Sequence, residues 1–158
     1  MKPRVERDYA IDRKRQAILG HSLGGLFVLQ TLFTRPQTFQ TYVAGNPSIH
    51  WNPRLIREQE DWFRIYAEQV DEKLNLLITA GELEGAHPSR MTENTRALYE
   101  RLVLLPKDAL QVACKEFEGE GHVSVLPGLI KPGIAAHVTD MKPSEARLLL
   151  PVAFLARL

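Results

Sequence analysis

A serine between two glycines carries the strongest chemical signal in this sequence. Residues 20–24 read GHSLG and match G-x-S-x-G, the pattern of a sharp strand-to-helix turn that presents a serine. A short apolar run precedes Ser22, and apolar residues at helical spacing follow it over residues 23–34. Such a turn places the hydroxyl at the carboxyl edge of a sheet, beside a helix N-terminus that stabilises negative charge. We therefore expect Ser22 to be a nucleophile, against the alternative of a glycine-rich turn that only reverses the chain.

A serine nucleophile needs a base, and histidine is the residue that usually serves. Where a serine occupies this kind of turn, the catalytic residues follow the chain order serine, acid, histidine. His122 lies in the loop EGEGH directly after the last predicted strand, which is the position that this order requires. We expect His122 to be the base, against the alternative of a solvated loop histidine. We expect His21, inside the turn, to point away from Ser22.

Two glutamates compete for the role of the acid. The third predicted strand ends near Gly81, and Glu82 and Glu84 follow it directly. A carboxylate at this place would accept the imidazole N–H, hold the correct tautomer and stabilise the imidazolium. Glu84 is preferred because it has more room to curl toward His122, and Glu82 is the fallback. The alternative is that both are solvated loop charges.

Further residues are candidates for stabilising charge or binding a substrate. The backbone N–H of Leu23, next to the nucleophile, is expected to be one donor of an oxyanion hole. A second donor normally comes from the loop after an earlier strand, and residues 1–21 are too few to hold the strands that usually come first. Trp51 and His50 are expected to line a substrate pocket, and Arg90 to contact an anionic ligand. The alternatives are a tryptophan packed on its neighbours and a solvated arginine.

The predicted elements alternate along the chain. Strands are predicted at residues 16–20, 41–45, 74–80 and 110–117, and helices at residues 23–34, 54–71, 89–105 and 124–134. This alternation predicts an α/β fold with about four parallel strands flanked by helices. The helix over residues 54–71 is expected to bury one stripe, formed by Leu55, Trp62, Ile65, Tyr66 and Val70. Residues 1–15 are interpreted as a polar leader, residues 139–158 as a C-terminal helical segment, and residues 1–158 as one domain.

Composition narrows the class of protein. The chain has 158 residues, 44% of them apolar and 25% charged, with a formal net charge of +1. These values are typical of a globular domain and argue against a nucleic-acid partner. No apolar run is long enough to span a membrane. A single cysteine, Cys114, excludes an internal disulfide. The first residues lack the apolar core of a secretory signal, which predicts a cytoplasmic location, or a periplasmic one if a signal precedes this chain.

Four segments carry a family resemblance: GHSLGGLFVLQTLFTRP, TYVAGNPSIHWN, LLITAGELEG and FEGEGHVSVLPGLI. Together they resemble the esterase D-like branch of the α/β-hydrolases, and within it the esterases that cleave ferric siderophores of the enterobactin type. The resemblance implies a serine esterase that hydrolyses carboxylic ester or lactone bonds such as those of ferric trilactones. It implies Ser22 as nucleophile, His122 as base and no cofactor. Some members of this group use only a serine–histidine dyad, so the third residue stays open between Glu84 and Glu82.

The resemblance leaves alternatives for the substrate. A general carboxylesterase, a feruloyl esterase and an S-formylglutathione hydrolase would use the same catalytic residues. Asn46 and His50 stand where members of the family usually have apolar or aromatic residues, and this difference bears on substrate preference.

The resemblance also implies that the chain is the C-terminal half of an α/β-hydrolase fold. The strand over residues 16–20 would then be an open edge, and an apolar open edge favours self-association or pairing with a complementing chain. Losing one oxyanion donor lowers kcat by about 10²–10³. We therefore expect weak activity from this chain alone. The alternative of another class is a catalytically weak remnant that binds a partner through this edge.

Overall fold

The computed structural model of the chain describes residues 2–68, 73–106 and 109–130. Within them, one parallel sheet contains four strands in chain order, with each strand beside the next. The strands are β1 (Ala17–His21), β2 (Thr41–Gly45), β3 (Leu74–Gly81) and β4 (Leu110–Phe117). The predicted four-stranded parallel sheet is confirmed, and each strand begins and ends within one residue of its expected position. The carboxyl ends of all four strands therefore lie along the same edge.

Four α-helices accompany the strands in the described residues: α1 (Lys2–Asp8), α2 (Leu23–Thr34), α3 (Pro53–Ala67) and α4 (Met91–Leu102). Helix α2 has the predicted bounds, and Pro36 follows its end. Helix α4 is shorter than the predicted residues 89–105, because Arg90 has a left-handed backbone with φ of 49° and cannot belong to the helix. Three short 3₁₀ turns complete the pattern, at Pro36–Thr38, Ile49–Trp51 and Glu82–Ala86.

The chain is helical again over residues 126–130, inside the helix predicted for residues 124–134. Residues 131–134 and the predicted C-terminal segment over residues 139–158 lie outside the described residues. In the described part of the chain, no helix is long and apolar enough to cross a membrane.

Tyr66 is half-buried and packs against the core as predicted, but most of the predicted stripe does not belong to the buried face of α3. Its buried residues are Ile56, Glu60, Phe63 and Ala67. Trp62 and Ile65 are exposed, and Val70 lies outside the described residues. Hydrophobicity alone points to the wrong face because the true face contains a charge.

That charge is the carboxylate of Glu60, whose side chain is 1% exposed. It accepts hydrogen bonds from Nε and Nη2 of Arg101 on α4, the latter at 2.7 Å. A buried charge needs such a partner, because transfer out of water is otherwise costly. Arg57 and Arg64 of α3 lie 3.9 Å from the same carboxylate, but its side-chain hydrogen bonds come from Arg101, and the sequence of α3 gives no sign that α4 approaches there.

Both faces of the sheet are covered at its inner strands, β2 and β3. The larger cluster of buried side chains joins α2, α3 and α4 to one face, through residues such as Phe33, Tyr42 and Ile78. A smaller cluster lies among Val43, Leu77, Ala113 and Leu129. In β2 and β3 the members of the two clusters alternate along the strand, so the segment around Leu129 packs on the opposite face. Burial on both faces explains why β2 and β3 are mostly apolar along their length.

Candidate active site

Ser22 lies between the end of β1 and the start of α2 in a strained backbone conformation, with φ of 60° and ψ of −119°. The neighbouring segment holds it at both backbone groups. Its N–H donates to the carbonyl of Gly45 at 2.9 Å, and its carbonyl accepts from the N–H of Ser48 at 3.2 Å. A non-glycine residue at positive φ persists only where its surroundings hold it so. The end of β2 therefore fixes the turn that exposes the Ser22 hydroxyl.

The glycines around Ser22 are not equivalent. A Cβ on Gly20 would lie 2.2 Å from the carbonyl oxygen of Gly24, and a Cβ on Gly25 would lie 2.7 Å from the carbonyl oxygen of Gly45. A Cβ on Gly24 would meet nothing within 4 Å. Close approach of strand and helix therefore requires Gly20 and Gly25, whereas Gly24 has room for a side chain.

Gly20→Ala is expected to destabilise the fold by about 1–3 kcal/mol, the usual cost of overpacking, because the clashing atoms belong to the backbone. Gly24→Ala is the matched control and is expected to be neutral or slightly stabilising, because it lies in α2 with open space around it. Urea unfolding of both variants measures the difference. Equal losses of stability would contradict the steric argument.

Three predicted residues come together at the carboxyl edge of the sheet. The Oγ of Ser22 lies 2.9 Å from Nε2 of His122, and Nδ1 of His122 lies 3.0 Å from Oε2 of Glu84. His122 follows β4, and Glu84 lies in the 3₁₀ turn after β3. When a hydroxyl, an imidazole and a carboxylate contact one another in this order, the hydroxyl can pass its proton to the ring while the carboxylate stabilises the resulting charge.

Glu82 contacts a different group. Its Oε2 accepts a hydrogen bond from the backbone N–H of Gly119 at 2.8 Å. The same turn is bound again where the N–H of Leu83 donates to the carbonyl of Glu120 at 3.1 Å. Glu82 therefore anchors the loop that carries His122, and the structure brings Glu84, not Glu82, to the imidazole.

Ser48 is a polar neighbour of Ser22 that the sequence reasoning missed. Its Oγ lies 3.2 Å from the Oγ of Ser22, and the residue is only 3% exposed. The signal that could have found it is its place shortly after β2, because neighbouring parallel strands end at the same edge.

His21 packs against His122. Its ring centroid lies 4.7 Å from that of His122, with the ring planes at 48°. Burial is the main cause that lowers the pKa of His21 below its ordinary value of 6.5, and the neighbouring His122 lowers it further. A hydrogen bond to the backbone of His122 and the charge of Glu84 act in the opposite direction. The net effect favours a neutral His21 beside His122.

This lowered pKa predicts a pH dependence of stability. The unfolded chain binds a proton at His21 more readily than the folded chain, so the free energy of unfolding falls as pH falls below 6.5. His21→Gln removes that contribution, and the variant is expected to lose less stability than wild type between about pH 7.5 and pH 5.5. Urea unfolding at the two pH values measures the loss. His50→Gln, at an exposed residue, is the control, and an equal loss in wild type and His21→Gln would contradict the prediction.

The three predicted substrate contacts lie at the surface. Trp51 is 69% exposed, and His50 beside it in the 3₁₀ turn after β2 is exposed too. Arg90 is exposed at the start of α4. Among the described residues, no side-chain hydrogen bond, ion pair or ring contact joins these three to Ser22 or His122. The structure leaves them free to meet a ligand without showing that they do.

Other reactive groups are accounted for. Burial raises the pKa of the Cys114 thiol to about 12, with a further contribution from Glu116, so the thiol stays protonated and is a poor nucleophile. Within residues 2–68, 73–106 and 109–130, no group of three or more His, Cys, Asp or Glu side chains is placed to hold a metal ion.

Leu23, the predicted oxyanion donor, is the first residue of α2. The first N–H groups of a helix have no acceptor within the helix.

Comparison with known proteins identifies a family whose model matches this chain. The model of the prolyl oligopeptidase family matches residues 4–106. The chain is 55% identical over 130 residues to the ferri-bacillibactin esterase BesA of Bacillus subtilis, covering 82% of this chain and 45% of that protein. It is 30% identical over 162 residues to the siderophore triacetylfusarinine C esterase of Aspergillus fumigatus, covering 89% of this chain and 55% of that protein.

Among solved structures, the BES protein from Bacillus cereus matches with a TM-score of 0.77 and 37% identity, over 84% of this chain and 48% of that one. The chain therefore spans about half the length of the relatives it matches. The expected resemblance to siderophore esterases and the α/β-hydrolase type of fold are confirmed.

Proposed function

This chain belongs to the prolyl oligopeptidase family, and on that premise we propose that it carries the catalytic residues of a serine esterase acting on ferric siderophores. The observation that carries the proposal is the continuous series of contacts from Ser22 to His122 to Glu84, with both distances near 3 Å. The names of the relatives support the substrate class, because one acts on ferri-bacillibactin and another on triacetylfusarinine C.

In the acylation step, Oγ of Ser22 attacks the carbonyl carbon of the ester and forms a carbon–oxygen bond. The hydroxyl proton moves to Nε2 of His122, and the carboxylate of Glu84 stabilises the imidazolium through Nδ1–H. The negative charge moves to the carbonyl oxygen, where the backbone N–H of Leu23 is the proposed donor. The bond to the leaving alcohol then breaks, and its oxygen takes the proton from Nε2.

In the deacylation step, water attacks the acyl carbon while His122 removes its proton. The bond from the acyl carbon to Oγ breaks, the acid is released, and Ser22 recovers its proton from Nε2. The iron belongs to the substrate in this scheme, and no step passes through it.

The finer proposal is that the substrate is a trilactone of the enterobactin type. Ring opening of a lactone is the same acyl transfer, with the alcohol kept on the product. Trp51 is proposed to contact the aromatic part of a catecholate ligand, since its large ring is exposed and its backbone N–H donates to the carbonyl of Ser48. His50 and Arg90 are proposed contacts for its negative charge.

Hydrolysis of a ferric trilactone by the purified 158-residue chain tests this function. Linear product, followed by chromatography and mass spectrometry, is expected from wild type and only at background level from Ser22→Ala. Rates on p-nitrophenyl, feruloyl and S-formylglutathione esters are expected to be lower. Faster turnover of those esters than of the trilactone would replace this proposal by a general carboxylesterase.

The free edge of the sheet bears on the rate of that reaction. In the described residues β1 pairs with β2 on one side only, and Leu19 in β1 is 43% exposed. A groove of about 1140 Å³ lies along this side, lined in part by Ile18 and Phe27. We propose that a strand from the remainder of the fold, in the same or a complementing chain, pairs with β1. Adding that part is then expected to raise the rate.

A further inference from the structure

Ser48 contacts Ser22 at two points. The backbone N–H of Ser48 donates to the carbonyl of Ser22, and the Oγ of Ser48 lies 3.2 Å from the Oγ of Ser22. The hydroxyl is almost fully buried, at 3% exposure of the residue, so water competes little for this hydrogen bond. Polar groups at such depth need a partner, and the contact that the structure gives the Ser48 hydroxyl is the Oγ of Ser22.

The count of hydrogens gives the direction of this contact. For His122 to act as the base, Nδ1 must carry its proton toward Glu84, and Nε2 must accept the proton of Ser22. A serine hydroxyl has only one hydrogen to donate, and Ser22 uses it on Nε2. Between the two serines, Ser48 is therefore the donor and Ser22 Oγ the acceptor.

We propose that Ser48 is a positioning residue for the nucleophile, donating its hydroxyl hydrogen to Ser22 Oγ so that the hydrogen of Ser22 faces His122. This inference rests on the proposed function, because a nucleophile has to be present for Ser48 to position it. The donors then run in one direction, from Ser48 to Ser22 to His122 to Glu84. Hydrogen bonds linked in one direction strengthen one another.

The same contact favours the transition state. As the proton of Ser22 moves to His122, negative charge grows on Oγ, and a donor that already points at Oγ stabilises it without reorganisation. When the acyl bond to Oγ breaks in the second step, Ser48 stabilises the departing oxygen in the same way. The hydrogen stays on Ser48 throughout.

The test measures how fast a fluorophosphonate modifies Ser22 in wild type, Ser48→Ala and the control Ser89→Ala, using intact mass. Ser48→Ala keeps the backbone hydrogen bond to Ser22, so only the hydroxyl is removed. Its maximal rate of modification is expected to fall about 10-fold, the effect of one hydrogen bond of ordinary net strength, while the reagent concentration for half-maximal rate is unchanged. Ser89→Ala, at a serine that is hydrogen-bonded to His87 outside the site, is expected to react like wild type.

A purely structural role of Ser48 would not lower the maximal rate of modification while leaving the reagent concentration for half-maximal rate unchanged. Each variant must show the cooperative thermal unfolding of wild type, and Ser48→Cys, which keeps a weaker donor, replaces Ser48→Ala if the latter does not fold. Modification of a folded variant substituted at Ser48 at the wild-type rate would overturn the role of Ser48 and leave the proposed function intact. No adduct on folded wild type would overturn both, because no activated nucleophile would then exist.

Discussion

Ser22→Ala is expected to abolish covalent modification of this chain by a fluorophosphonate, and His122→Ala to slow it by about 10²–10⁴-fold, the usual contribution of a general base. In the reaction, Oγ of Ser22 bonds to phosphorus, the phosphorus–fluorine bond breaks, fluoride leaves and the hydroxyl proton moves to His122. The 2.9 Å contact between Oγ and Nε2 is the reason for expecting this transfer. Intact mass recorded against time measures the adduct.

Two controls accompany this measurement. His87→Ala removes an exposed histidine whose ring is hydrogen-bonded to Ser89, and it is expected to react at the wild-type rate. Ser89→Ala does the same for a serine outside the site. An adduct on Ser22→Ala would show that another residue is the nucleophile. A His122→Ala variant that reacts as fast as wild type would remove the base from the mechanism.

Glu84→Gln is expected to slow the same modification by about 10²–10⁴-fold, whereas Glu82→Gln is expected to change it only a few-fold. The amide at residue 84 carries no charge to stabilise the imidazolium, and its NH₂ group favours the wrong tautomer of His122. The carboxylate now lies 3.0 Å from Nδ1, with its side chain 13% exposed, so solvent screens it little. The rate of adduct formation for each variant measures the effect.

Glu82→Gln is the matched control because it makes the same chemical change two residues away. The amide oxygen of the glutamine can still accept the hydrogen bond from the N–H of Gly119, so the loop that carries His122 stays in place. Wild-type rates for both variants would indicate a serine–histidine dyad with no acid. A larger loss for Glu82→Gln than for Glu84→Gln would reverse the assignment made from the distances.

Local pattern was sufficient for the elements that carry the site. Strand β2 and helix α2 have the bounds that the apolar runs predict, and Ser22 lies in the turn between β1 and α2. These features follow from neighbours in the sequence: the spacing of apolar residues, a proline after a helix and glycines around a turn. The positions of Glu84 and His122 at the sheet edge follow in turn, because parallel strands end at one edge.

Predicting which face of a helix is buried required more than the sequence of that helix. Helix α3 buries Glu60 because Arg101 on α4 meets it, and it leaves Trp62 exposed although tryptophan is the more apolar residue. The hydropathy pattern of α3 does not predict where α4 packs against it. A prediction made from one helix alone therefore placed exposed residues such as Trp62 and Ile65 in the buried stripe.

By itself, the sequence determined the order of strands and helices, the turn at Ser22 and the loops in which an acid and a base had to lie, because each depends on residues close together in the chain. Only the tertiary structure decided that Glu84 meets His122 while Glu82 binds Gly119, and that Ser48 contacts Ser22. Those choices depend on the direction of side chains from segments far apart in sequence. A difference of a few ångströms decides them, and no local pattern encodes it.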